Sequence, residues 1–138
     1  MGLVYDNGLI FHGVEYLDRS EPAVLHEGET QRVRLWWSAE RALDRDYSAG
    51  LYLMTSSGDI VSQQDGPPGG DTVPGTSDWE VGRFYVEERT VQSRFPTQTG
   101  SYRLRLVVYH WQDLERVDAP GLSEDRLLTL GRVQVVAW

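Results

Sequence analysis

Residues 100–111 read GSYRLRLVVYHW, and the alternation in this run decides the fold. Tyr102, Leu104, Leu106 and Val108 share one side of an extended chain, because successive strand side chains point to opposite faces. A helix would scatter the same four around its axis. The period recurs in both directions. TQRVRLWWSA (30–39) sets Val33, Leu35 and Trp37 on one face and Arg32, Arg34 and Trp36 on the other. LIFHGVEYL (9–17) is a further strand, with Gly13 as a bulge. YSAGLYLMT (47–55) and IVSQQD (60–65) flank the tight SSGD turn as a hairpin. RFYVEERTVQ (83–92) and RLLTLGRVQVVAW (126–138) complete the set. Only SAERALDRD (38–46) has helical spacing, over too few residues to hold a helix. Short strands separated by turn signals predict an all-β fold. The expected architecture is a two-sheet antiparallel β-sandwich, immunoglobulin- or fibronectin-III-like, with seven to eight strands in one domain spanning 1–138.

DIVSQQDGPPGG (59–70) interrupts the pattern. Proline donates no backbone hydrogen bond and glycine is entropically costly in regular structure, so neither strand nor helix continues through it. The run lacks the lysine and helix start of a phosphate-binding loop. A sandwich needs somewhere for the chain to leave one sheet for the other, and residues 65–78 suit that crossing.

The chain has 138 residues, 40% of them hydrophobic, enough to bury one sizeable core. The formal net charge of −8 argues against nucleic acid, whose phosphates require a basic face. With no cysteine, a thiol nucleophile, a disulfide and a thiolate metal site are excluded. No apolar run reaches the ~20 residues of a membrane span, and no signal peptide is legible before the domain. No cofactor is expected.

His12, His26 and His110 lie in separate segments without paired metal-ligand spacing, so no metal site is expected of them. Asp65, Asp71 and Asp78 share one loop and are a calcium candidate without an EF-hand pattern. Glu87 and Glu88 are adjacent on a strand and face opposite ways, so they cannot form a glycosidase pair, and they read as solvated surface. The tryptophans say more. Trp37 belongs to the core, whereas Trp36 faces outward where Arg32 or Arg34 can stack on it. Trp111 ends the strongest strand beside His110, Gln112 and Asp113. An exposed indole next to polar groups suits packing against a neighbouring domain first, and also the apolar face of a sugar ring. The candidate ligand-binding residues are therefore Trp111, His110, Gln112, Asp113 and Trp36.

Three segments, 44–70, 76–111 and 127–138, carry a resemblance through the DGPP run (65–68), the TSDWEVG approach (76–82) and the GSYRL strand start (100–104). Together with 4–18 and 25–39, they resemble the C-terminal β-sandwich domain of bacterial multi-spanning membrane glycosyltransferases of the lipid-linked-sugar type. The resemblance implies an extracytoplasmic domain beside the membrane portion, with the sugar-transfer residues in that portion and none here. It implies structural roles for Asp46, Tyr47, Asp65, Gly66, Pro67, Trp79, Gly82, Gly100 and Tyr102. One departure stands out. The turn expected as Tyr-Asp…Thr-Gly-Glu-Arg appears as Tyr109-His110-Trp111-Gln112-Asp113-Leu114-Glu115-Arg116, without its glycine. The functional expectation is a non-catalytic accessory domain contacting a glycan or an adjacent membrane domain of a parent protein. The alternatives are a free-standing carbohydrate-binding module and a hydrolase with an unrecognised site.

Overall fold

A computed structural model describes residues 2–92 and 99–137. Two sheets face one another. One is four-stranded, in the order β1 (Leu3–Val4), β2 (Leu9–Tyr16), β4 (Thr30–Ala39) and β7 (Tyr85–Gln92). The other runs β3 (Ala23–His26), β10 (Leu128–Val136), β8 (Gly100–His110), β5 (Ser48–Met54) and β6 (Ile60–Gly66), with β9 (Glu115–Arg116) pairing with the tail of β8. No α-helix occurs among the described residues; 76–78 make a single 3-10 turn.

The predicted faces hold. Val33, Leu35 and Trp37 are fully buried, and Tyr102, Leu104, Leu106 and Val108 join them in one core between the sheets. Gly13 is a bulge, where the β2–β4 register slips between Phe11 and Gly13. It re-aims the second half of β2, so that Val14 packs against the core.

The strand count and the purely antiparallel order need correction. The described residues form ten strands, because β1, β3 and β9 went unread; two residues, or the four of AVLH, carry too little period to recognise. Strand β3 pairs in parallel with β10, Ala23 opposite Val133. It reaches that edge from the other sheet, so no hairpin turn dictates its direction. The six-stranded sheet is also covered on part of its outer face. Tyr52, Met54, Val107 and Leu127 form a second cluster there, which is why Ala49–Met54 is buried throughout rather than alternately.

The chain does cross between sheets after 59–70, since β6 lies in one sheet and β7 in the other. The crossing is pinned at several points. Trp79 stacks on Tyr85 at 4.1 Å and donates its indole N–H to the Pro74 carbonyl. The Asp46 carboxylate accepts from Ser77 Oγ at 2.6 Å and Ser77 N at 3.0 Å. Gly69, at φ +84°, brings its N–H to Glu87 Oε2 at 2.9 Å, and a β-carbon there would meet Val73 Cγ2 at 2.7 Å.

That last contact overturns the solvated reading of Glu87. Its side chain is 4% exposed and pairs with Arg89 at 2.6 Å. Its other oxygen accepts from Trp37 Nε1 at 2.8 Å, and Arg89 reaches the carbonyl of Ala49 at 2.8 Å. Glu88, on the opposite face, is surface as expected.

Candidate functional site

Strand β8 outlasts its neighbour. β10 pairs with it only as far as Leu106, and β9 takes up Tyr109 and His110 on the same side. Residues 111–114 turn the chain between β8 and β9, closed by the Leu114 N–H bonding to the His110 carbonyl at 2.7 Å. Trp111 is 57% exposed and Leu114 69%. Leu114 sits at φ +59° and directly precedes Glu115-Arg116, where the resemblance expects glycine. The left-handed conformation that glycine adopts freely is thus imposed on a leucine.

His110 ends β8 with its ring edge-on to Tyr47 at 6.2 Å. Its Nδ1 lies 3.0 Å from Arg45 Nη1 and 3.3 Å from Asp113 Oδ1. One nitrogen cannot serve both. A bare Nδ1 accepts from the guanidinium, whereas an Nδ1 that carries hydrogen donates to the carboxylate. Asp113 is held below the usual carboxylate range, chiefly by the Glu115 backbone N–H and next by His110. His110 and Asp113 are thus in contact, and Trp111 and Gln112 lie exposed in the turn between them.

Trp36 does not belong to it. It lies on the outward face of the other sheet, opposite Val86 and Gly13. Its neighbouring arginines face carboxylates rather than the indole: Arg32 pairs with Asp18 at 2.8 Å, and Arg34 with Glu15 at 3.0 Å. The calcium candidates also part. Asp65 is on β6, accepting from Tyr109 Oη at 3.1 Å, while Asp78 closes the 3-10 turn. Among the described residues no group of three or more histidines and carboxylates is placed to hold a metal ion.

What His110 does adjoin is a cleft of about 450 Å³. Four separate segments wall it. Asp6 and Asn7 follow β1; Asp44, Arg45 and Tyr47 precede β5; Glu115, Arg116, Val117 and Asp118 form and follow β9; Arg126 precedes β10. The Asp6 N–H bonds to the Asp118 carbonyl at 2.9 Å, tying the first segment to the third. Tyr47 Oη donates to Asp44 Oδ1 at 2.8 Å, which holds the Asp44 carboxyl low, with Arg45 assisting. Burial, then Asp44, raise the Tyr47 hydroxyl.

Opposite charges line the cleft, and most of them do not meet. Asp6, Glu115 and Asp118 have no arginine or histidine within ion-pair distance among the described residues, and Arg116 and Arg126 have no carboxylate. Only Asp44 and Arg45 pair, at 3.2 Å. Arg116, Arg126 and Asp118 spend part of their hydrogen-bonding capacity on backbone groups, and the remainder borders the cleft. Sequence reasoning missed most of these residues, since they come from four segments with no spacing signal; the exposed Trp111 is what pointed to the neighbourhood.

No protein-family model matches the chain, and no curated protein matches it. Among solved structures, the C-terminal domain of wzt is similar over 100% of this chain and 77% of that one, at 11% identity and a TM-score of 0.57. A Niemann-Pick type C2 protein from the Japanese carpenter ant is similar over 99% of this chain and 96% of that one, at 9% identity and a TM-score of 0.56. At such identities the likeness shows the fold, and the chain is a β-sandwich domain of that broad class.

Proposed function

We propose that this domain is a non-catalytic, extracytoplasmic accessory module that contacts a saccharide at the cleft beside His110. The observation that carries the reading is the set of unpaired carboxylates and arginines facing one cleft. A sugar hydroxyl both donates and accepts, so vicinal hydroxyls satisfy a carboxylate and a guanidinium together. The exposed indole of Trp111, one residue beyond His110, adds a face for the apolar side of a ring. The resemblance to the C-terminal domain of membrane glycosyltransferases supports placing such a module next to a membrane enzyme. Within the described residues, no helix is long and apolar enough to cross a membrane.

The test is titration with a panel of envelope oligosaccharides, read by amide shifts and tryptophan fluorescence. Kd is expected between about 1 µM and 1 mM, since one stacking residue and a few hydrogen bonds do little more than offset the entropy of association. Trp111→Ala should weaken binding severalfold. If no saccharide shifts any amide of the cleft, the reading is wrong.

A second reading rests on one observation. Asp6, Asp44, Glu115 and Asp118 all line the cleft, as the carboxylates of a glycosidase would. The Tyr47 and Arg45 contacts hold Asp44 low, opposite to what a general acid needs, and so favour binding. Release of reducing ends during the same titrations would favour hydrolysis.

A further inference from the structure

Two of the cleft's arginines clasp each other's segments. Arg116 Nη1 donates to the Asp125 carbonyl at 2.8 Å, and Arg126 Nη1 donates to the Arg116 carbonyl at 2.6 Å. Each spends one of its five N–H donors this way, leaving most of the guanidinium fork for the cleft. The nearby carboxylate that might neutralise them is taken. Asp125 is bound to Arg105 at 3.1 Å, to Ser123 Oγ and to the Leu127 N–H. Arg126 also holds φ +60°, a left-handed conformation that is strained for a non-glycine residue. Two like charges therefore border the same cleft, one of them on strained backbone, with no carboxylate of the described residues within ion-pair distance.

We propose that Arg116 and Arg126 bind an oxyanion, and that the ligand of the cleft is a saccharide carrying a carboxylate or a phosphate. Planar guanidinium forks match either oxyanion in bidentate geometry. Asp6, Glu115 and Asp118 line the same cleft and would repel a second acidic group while accepting from hydroxyls, so a single acidic substituent on a hydroxylated ring fits the lining. Chain-wide charge does not drive this, since the protein carries −8; the recognition is local. The inference rests on the cleft being the saccharide site, and the experiment separates the two.

The full chain is titrated with the methyl glycoside of galacturonic acid, which carries one carboxylate, and with its methyl ester, which keeps the sugar and removes the charge. Glucose 6-phosphate tests the alternative oxyanion, and inorganic phosphate tests charge without sugar. The acid, or the sugar phosphate, should bind about tenfold tighter than the uncharged ester, the scale of one charge-assisted hydrogen bond. Arg126→Gly relieves the left-handed strain and should stay folded in a thermal melt while losing that preference; Arg116→Gln should lose it too. Equal binding of acid, ester and sugar phosphate, or a preference that survives Arg126→Gly, overturns the oxyanion assignment and leaves the saccharide reading standing. Inorganic phosphate binding as tightly as either acidic sugar overturns the assignment of a saccharide ligand. If none of the sugars binds, the saccharide reading falls and takes this inference with it.

Discussion

Glu87 shows how one residue can escape a correct reading of its strand. Alternation on β7 does put Glu87 and Glu88 on opposite faces, but the face given to Glu87 is the core. A buried carboxylate survives there only because it is fully bonded, by Arg89, the Trp37 indole and the Gly69 N–H. Whether such a pair adds net stability over apolar residues is secondary; breaking it strands a buried charge. Glu87→Gln keeps the shape and leaves Arg89 uncompensated at 6% side-chain exposure. It should lower unfolding stability by about 3 to 5 kcal/mol in urea titrations. Replacing both Glu87 and Arg89 by apolar residues should restore most of the loss, and failure to do so would mean the arginine's carbonyl contacts dominate.

At the scale of elements, the turn between β8 and β9 carries the clearest mismatch between backbone and residue. Leu114 stands in the left-handed region while its side chain is mostly exposed, so its conformation costs on the order of 1 to 2 kcal/mol with little packing in return. Glycine removes that strain but enters the fold with more unfolded-state freedom to lose, worth about 0.5 to 1 kcal/mol. Leu114→Gly should therefore stabilise the domain by about 0.5 to 1 kcal/mol, measured as a higher urea midpoint at unchanged slope. A midpoint that falls would show that the Leu114 side chain packs in a way its exposure hides. The crossing segment 67–84 is the contrasting case. Its glycines and prolines prevent regular structure, and Asp46, Trp79 and Glu87 hold it to the two sheets.

The whole molecule should be acid-sensitive. Asp18, Glu29, Asp44, Asp46, Asp113 and Asp125 are all held below the ordinary carboxylate range, each chiefly by a hydrogen bond donated to it. The unfolded chain therefore takes up protons at a higher pH than the folded one. The stability these groups contribute is complete above the unfolded range, about pH 4 to 5, and is lost as pH falls through the folded values. The urea midpoint should stay level down to that range and then drop. Asp46→Asn removes one such group, held by Ser77 Oγ and then Ser77 N, and should make the drop shallower. An acid branch as steep in Asp46→Asn as in the parent would remove Asp46 from the set.

By itself the sequence determined what depends on neighbours in the chain. Side-chain alternation is a property of each extended segment, so the seven longer strands, the buried faces of β4 and β8, the Gly13 bulge, the 55–59 hairpin and the sheet crossing were legible before any fold was known. So was the grouping of His110 with Asp113, which a three-residue separation guarantees. The tertiary structure decided what depends on distant pairs. Glu87 meets Trp37 across 50 residues, Arg45 meets His110 across 65, and β3 finds β10 from the far end of the chain. The cleft is of this second kind, because each wall comes from a different segment and no single segment contains the chemistry. Local sterics write the strands into the sequence, whereas convergence of charges on one space follows only from how the two sheets pack.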